Sequence, residues 1–364
     1  MSLPLRQILQ DEIQKAGFIT FRRFMELALY CPESGYYHGH IREIGKRGDF
    51  YTSVSVGPLF GELLAFQFAQ WLEHSGEPHL NLVEAGAHNG QLALDILTWF
   101  QKQRPELLQH LTYWIIEPSS ALQQKQSKTL EKFAAQVRSC ESLQCLTAFT
   151  GILFSNELLD AFPVSRFAWD AHRHEWFEWG VTATASEFVW HRIYRPNIEA
   201  DLHRAGLTIP EHLLNVLPND YTIDISFDAA EWWRQAATIL RTGKLLTIDY
   251  GLTADQTLAP ERPQGTLRAY HQHHLVLDPL AHPGEQDLTA HVNFTSLQHI
   301  GHAAGLQTEQ FVSQEQFLTR IAEHAWKPNS NFGPWTPETF RQFQTLTHPN
   351  HLGCSFKVLV QSKR

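Results

Sequence analysis

Apolar residues recur at three- and four-residue steps near the start of the chain, at Leu5, Ile8, Leu9 and Ile13 and again at Phe24, Leu27 and Ala28. Positions i, i+3 and i+4 share one helical face, so this spacing predicts helix over residues 3–30. Pro32 and Gly35 end the pattern. The Gly- and Tyr-rich stretch that follows, to Pro58, is too long for a plain connection, and its aromatic residues suit an ordered lid or pocket wall. Helical spacing returns over 60–71.

A different alternation then begins. Short apolar runs at 81–85, 113–117 and 152–155 predict buried strands. Helical patterns at 90–100 and 119–133 lie between them, the second opened by Ser119 at a capping position. Strands alternating with helices of this size predict βαβ units, hence an α/β class with a mostly parallel sheet covered on both faces. From 164 to 193 the pattern shifts to alternating, aromatic-rich segments such as His174-Glu-Trp-Phe-Glu-Trp179, which predict an antiparallel β-rich insertion. A helix over 225–240, a strand over 244–248 and tail strands at 306–312 and 355–361 complete the pattern, with helix around Gln316 and Phe340. The expected division is an N-terminal helical region and covering loop at 1–78, then a core at 79–364 with its insertion at about 163–225.

Composition changes this picture little. The 364 residues are 43% hydrophobic and 18% charged, which fits an ordinary folded protein. A net charge of -9 argues against nucleic acid as a partner. No apolar run approaches membrane-spanning length, so no membrane association is expected. The 21 His lack the Cys/His spacing of a zinc site, even where His271, His273 and His274 cluster, so no metal is expected. Four scattered cysteines suit a reducing compartment, and the first residues lack both a secretory pattern and an Arg-rich transit pattern. A cytoplasmic location is the expectation. The aromatic strands of the insertion offer an edge to a second copy, so a homodimer is allowed.

Open parallel sheets bind ligands at the carboxyl ends of their strands. There the chain places Glu84 to Gly90, then Glu117, then Asn156-Glu-Leu-Leu-Asp160, then Asp249-Tyr-Gly251. Gly86 and Gly90 let the backbone pass close to a ligand, with His88 and Asn89 between them. Glu117 follows at the interval at which a nucleotide-binding fold sets a carboxylate on ribose hydroxyls. Gly-x-Gly-x-x-Gly is absent, and Glu84 would repel a pyrophosphate while tolerating a cofactor that carries a sulfonium and an amine. Asn156, Glu157 and Asp160 form the expected substrate edge. Two carboxylates three apart suit a guanidinium clamp, and equally suit the positive end of a helix. Asp49 lies among aromatics in its turn, and His291 is a candidate acid–base group, although such a histidine is more often structural.

Several ordered motifs now resemble one family across nearly the whole chain. They are Gly17-Phe-Ile-Thr-Phe-Arg-Arg-Phe-Met25, Leu29-Tyr-Cys-Pro-Glu-Ser-Gly-Tyr-Tyr37, Gly48-Asp-Phe50 and Asn156-Glu-Leu-Leu-Asp-Ala-Phe-Pro-Val164, followed by Asp249-Tyr-Gly251, Gly265-Thr-Leu-Arg-Ala-Tyr270 and Asp287-Leu-Thr-Ala-His-Val-Asn-Phe294. The chain resembles the MidA-like methyltransferases, whose eukaryotic members are complex I assembly factors acting as protein arginine methyltransferases. The resemblance implies a class I, Rossmann-like sheet of seven strands and S-adenosylmethionine as cofactor, with a protein arginine as the acceptor. It implies that Asp49, Phe50 and Thr52 cover the cofactor, that Glu84, Gly86, His88 and Gly90 form its loop, and that Glu117 takes the ribose. Asn156, Glu157, Asp160 and His291 would then face the acceptor. One position departs: the family's loop is Glu-x-Gly-x-Gly-x-Gly, and His88 stands at the middle glycine. A side chain there is strained if φ is positive. Two alternatives stay open, an assembly or binding protein that kept the fold and lost the reaction, and a nicotinamide-dependent oxidoreductase.

Overall fold

A computed structural model describes residues 4–32, 34–39, 52–74, 76–271 and 274–364. The expected lid residues 40–51, including Asp49 and Phe50, lie outside them. The chain forms two compact units, one of residues 44–158, 233–250 and 300–364, the other of 1–43, 159–232 and 251–299.

The first unit is built on seven strands: β1 Leu80–Ala85, β2 Leu111–Ile116, β3 Val137–Cys140, β4 Phe149–Asn156, β5 Leu240–Leu252, β6 Gln307–Ser313 and β7 Phe356–Lys363. Their spatial order is β6-β7-β5-β4-β1-β2-β3. The run from β5 to β3 is parallel, while β7 is antiparallel to both β5 and β6. A two-residue strand, Val292–Asn293, adds to the far end of β5 at Gly251 and Leu252. This is the α/β, mostly parallel sheet that the alternating pattern predicts. Strand β3 was not legible, because Val-Arg-Ser-Cys at a sheet edge carries no apolar pattern.

The connecting helices are α1 Leu59–Glu73, α2 Gln91–Gln103, α3 Ser120–Thr129, α4 Phe227–Ile239, α5 Gln314–Ala325 and α6 Pro337–Thr347. Helix α1 is apolar on nearly every side, with Phe60, Leu63, Leu64, Phe66, Phe68 and Leu72 all buried. A helix of that kind must sit inside. Phe68 packs 5.0 Å from Phe154 of β4, the central strand, which is buried from Phe149 to Ser155. Central parallel strands read as continuous apolar runs for this reason. Ser119 caps α3, its side chain accepting from the Leu122 amide.

In the second unit an antiparallel sheet runs Ile19–Thr20, Glu175–Ala183, Ser165–Asp170, Tyr221–Ile225, with Phe188–Ile193 also paired to Glu175–Ala183. The single N-terminal helix expected over 3–30 is two helices, Leu5–Ala16 and Phe21–Tyr30, broken at Gly17 so that Ile19 and Thr20 can join the sheet. Leu5, Leu9 and Ile13 of the first and Phe21, Phe24 and Met25 of the second share a core with Val164, Val181 and Phe188. The segments around Arg268 and Asp287 form strands Arg268–His271 and Asp287–Thr289 of a small sheet with His274–Val276, which the sequence pattern does not predict. Strands of three or four residues are too short to show an alternation.

Asp224 organises this unit. Its side chain is fully buried and accepts from Arg166 Nε at 2.9 Å and from the Thr266 and Leu267 amides at 2.6 and 2.9 Å. A Cβ at Gly265 would collide with the Asp224 carboxylate, which accounts for the glycine of the Gly265-Thr-Leu motif. Arg166 also lies over the rings of Trp190 and Phe21. Removing one partner leaves the other charge buried and uncompensated, so Asp224→Ala should destabilise the protein by about 3–5 kcal/mol. Urea unfolding checks this, and the double variant Arg166→Met/Asp224→Leu should lose less than the single one.

Candidate active site

Strand β1 ends in a turn whose backbone reverses hand at alternate positions. Gly86 has φ +75, His88 φ +44 and Gly90 φ +82. The middle position therefore does need the left-handed conformation, and a histidine holds it. Histidine is among the few side-chain-bearing residues enriched there. The turn is fixed by the Gly86 amide donating to the Ile116 carbonyl at 3.2 Å and the Gly90 amide donating to Ala87 at 2.7 Å. Asn89 accepts from the Gln91 amide at 3.1 Å, opening α2. Burial holds the His88 imidazole down at about 4, with Lys125 adding to the effect, so it is uncharged at neutral pH.

Glu117 follows β2 and is buried. The Ser119 amide donates to its Oε1 at 2.9 Å, and Gln126 Nε2 approaches its Oε2 at 3.3 Å. Burial raises its pKa, against the pull of these two bonds. The same Gln126 Nε2 donates to the His88 carbonyl at 2.9 Å. Gln126 went unnoticed in the sequence, yet a signal was present. Leu122, Gln126 and Leu130 recur at four-residue steps and all are buried, so a polar residue occupies an apolar stripe.

Glu84 is not a loop residue. It lies within β1, buried, and Tyr113 donates to its Oε2 at 2.6 Å. Burial pushes its carboxyl up to about 7, Asp95 adding to the rise while the Tyr113 bond opposes it. Asp95 on α2 is likewise pushed up to about 6 by burial, with Glu62 adding to it and the Gln91 bond opposing it. Thr52 caps the short helix Ser53–Val56 through a reciprocal pair of bonds with Ser55.

At the end of β4, Asn156 donates from Nδ2 to Glu157 Oε1 at 3.1 Å. Its own Oδ1 is buried and accepts no hydrogen bond. Glu157 has φ +51, a conformation an L residue adopts only when its surroundings enforce it. Its amide donates to the Ile248 carbonyl at 2.9 Å. The fully buried Asp249 accepts from the Leu158 amide at 3.2 Å and the Tyr250 amide at 2.8 Å. The Asp249-Tyr-Gly motif thus holds the turn that presents Glu157.

Asp160 and His291 belong to the other unit, where the Ala290 amide donates to the Asp160 carbonyl at 2.9 Å. Two tyrosines of the N-terminal motif brace the same segments: Tyr30 donates to the Ala161 carbonyl at 2.9 Å, and Tyr37 to Asp287 Oδ1 at 3.0 Å. Burial holds His291 down at about 4, with Arg268 and Arg262 adding to the effect. Its Nδ1 is buried and has no hydrogen-bond partner.

A turn with three positive φ values leading into a helix, with a carboxylate at the end of the next strand, suits an adenosyl cofactor. A family model of S-adenosyl-L-methionine-dependent methyltransferases matches residues 63–312. The chain belongs to that family.

Among curated relatives, the mitochondrial protein arginine methyltransferase NDUFAF7 of Mus musculus is 30% identical over 87% of this chain and 74% of its own length. The Drosophila melanogaster homolog is 28% identical over 98% of this chain and 84% of its own. A crystal structure from Burkholderia thailandensis, bound to S-adenosyl-homocysteine, superposes with a TM-score of 0.85 at 31% identity, covering 99% of this chain and 92% of that one. This methyltransferase therefore uses S-adenosylmethionine, and the nicotinamide and assembly-only alternatives give way. The cytoplasmic expectation is overturned as well, because the animal relatives are named as mitochondrial proteins. Composition and the first few residues were a poor guide to compartment.

Two outcomes follow for the methyltransferase. Unfolded, Glu84 ionises near 4.5, whereas folded it keeps its proton up to about 7. The folded state therefore binds more protons between those values, so this stabilisation is complete below pH 4.5 and is lost as pH rises through 7. Asp95, raised from 3.8 to about 6, acts in the same sense. Melting temperature should fall across this window in the wild type, and less steeply in Glu84→Gln. Separately, His88→Gly restores the residue best suited to φ +44. Calorimetry with S-adenosylhomocysteine should show its affinity equal to or above that of the wild type, within roughly tenfold, since a left-handed residue costs on the order of 1 kcal/mol.

Proposed function

We propose that this enzyme methylates a guanidinium nitrogen of a protein arginine, with Asn156 and Glu157 holding the acceptor. The observation that carries the reading is the orphaned Asn156 Oδ1. The amide is oriented by its bond to Glu157, which leaves a buried acceptor beside a carboxylate. That pair suits a group offering several N–H donors and a positive charge. The names of the relatives, as protein arginine methyltransferases, support the same acceptor.

When bound, S-adenosylmethionine supplies an electrophilic methyl on a cationic sulfur. The Gly86–Gly90 turn and the start of α2 would hold its methionine portion, and Glu117 would accept from the ribose hydroxyls. On the acceptor side, Asn156 Oδ1 and the Glu157 carboxylate accept guanidinium N–H bonds and turn one nitrogen toward the methyl. Orientation of this kind supplies much of the acceleration in a one-step displacement. The guanidinium is too weak an acid to lose its proton beforehand. Glu157 takes that proton as the nitrogen gains its new carbon bond. His291 is held uncharged by burial, and no step of this proposal draws on it.

Glu157→Gln preserves the shape and removes the base. Turnover on an arginine-containing protein substrate should fall by about 10²–10⁴-fold. Affinity for S-adenosylhomocysteine, measured by calorimetry, should stay within about threefold, because no cofactor contact is altered. Wild-type turnover in this variant would remove Glu157 from the mechanism, and equal methylation of lysine peptides would remove arginine as the acceptor.

A further inference from the structure

We infer that Gln126 is a positioning residue of the cofactor site, clamping the left-handed His88 turn to the ribose-binding carboxylate. The inference rests on the reading above that Glu117 and the Gly86–Gly90 turn hold the cofactor. Gln126 stands on α3, 1% exposed, and both groups that its amide meets are hydrogen-bond acceptors. The His88 carbonyl lies at 2.9 Å and Glu117 Oε2 at 3.3 Å from the same nitrogen. Only an NH2 group can satisfy two such acceptors at once, so the amide cannot turn over. Its Oε1 is consequently buried with no hydrogen-bond partner.

That orphan oxygen is informative. A buried, unpartnered acceptor destabilises a fold, and this one is tolerated where the same amide supplies the donor to two other acceptors. What the amide does and a leucine cannot do is join two parts of the cofactor site. His88 carries a side chain at φ +44, so its turn lacks the ease of a glycine turn, and the bond to its carbonyl opposes relaxation toward negative φ. The second bond fixes Glu117 Oε2 while the Ser119 amide fixes Oε1. Both carboxylate oxygens are thereby aimed before any hydroxyl arrives, which lessens the ordering that binding must impose.

The test is calorimetric titration of the full chain with S-adenosylhomocysteine. Gln126→Leu should weaken binding by roughly tenfold or more, the loss expected for a bond to a charged group. Its melting temperature reads the balance between the orphan oxygen removed and the two acceptors left without a donor, and kcat at saturating cofactor should stay within about threefold. Gln126→Glu gives an independent readout should the leucine variant fail to fold. The groups around the introduced carboxyl are Glu117 at the strand end, His88 on the turn and Lys125 on the same helix. Near pH 8 the new carboxylate opposes Glu117 and the His88 carbonyl, so affinity falls; toward pH 5.5 it gains a proton to donate, and affinity recovers. The wild type should show no such recovery.

Binding by Gln126→Leu within twofold of wild type, or a Gln126→Glu pH profile parallel to wild type, would overturn the inference. Glu117→Ala separates the two levels. If it binds normally, the cofactor-site reading itself fails and the inference falls with it. If it loses binding while Gln126→Leu does not, the clamp alone is wrong.

Discussion

The turn between β1 and α2 can close only with positive φ at residues 86, 88 and 90, and much of the site's construction answers to that requirement. Glycine meets it twice without cost. At the third position a histidine must be held in place, and the means are neighbours that no local rule of the turn would supply. Gln126 reaches from α3 to the His88 carbonyl, and Ala87 and Ile116 accept the glycine amides. The turn is therefore a property of β1, β2 and α3 together.

The acidic residues at the strand ends share a position but divide into two kinds. Asp249 is fully buried and its carboxylate accepts backbone amides, so its charge is spent on holding the Asn156–Leu158 turn. Glu84 faces Tyr113 inside the protein, and burial pushes its carboxyl up toward the neutral form. Glu117 and Glu157 stand in turns built by other groups, with geometry suited to ligands. Four carboxylates that read alike in the sequence thus separate by what their oxygens touch: backbone amides for Asp249, a tyrosine hydroxyl for Glu84, an amide and a glutamine for Glu117, and the neighbouring asparagine for Glu157.

This division marks the limit of what the residues disclosed by themselves. The alternating strands and helices were legible because burial on both sheet faces forces apolar runs, as in Phe149 to Ser155. The capping role of Ser119 was legible because it is local. The edge strand Val137–Cys140 was not, since an edge needs no apolar run, and neither were three strands too short to alternate. That Leu5, Leu9 and Ile13 would pack on the insertion was also hidden, because periodicity names the buried face but not the surface it meets. Residue type alone singled out Glu117, Asn156 and Glu157 as candidates, whereas the hydrogen bonds of Gln126, Asp249 and Tyr37 depend on partners distant in sequence. The motifs around Tyr30 and Asp287 were visible as text long before their hydrogen bonds gave them a physical reason.

The protonation pattern bears on the chemistry. Glu84 and Asp95 are pushed toward their neutral forms, and His88 and His291 are held uncharged, each chiefly by burial. On the proposed arginine acceptor, transfer of a methyl group from a cationic sulfur to a guanidinium would bring two positive charges together before one proton departs. Stabilising anions need to be placed where charge develops, since preorganised groups act with little reorganisation. Glu157, held at φ +51 by its bond to Ile248 and by the Asp249 turn, meets that description. Backbone strain of this sort is tolerated when the surrounding structure overrules it. The bonds that enforce it come from β5, next to the strand that carries Asn156. The parallel order of these two central strands is therefore what sets the Glu157 carboxylate beside the Asn156 amide that donates to it.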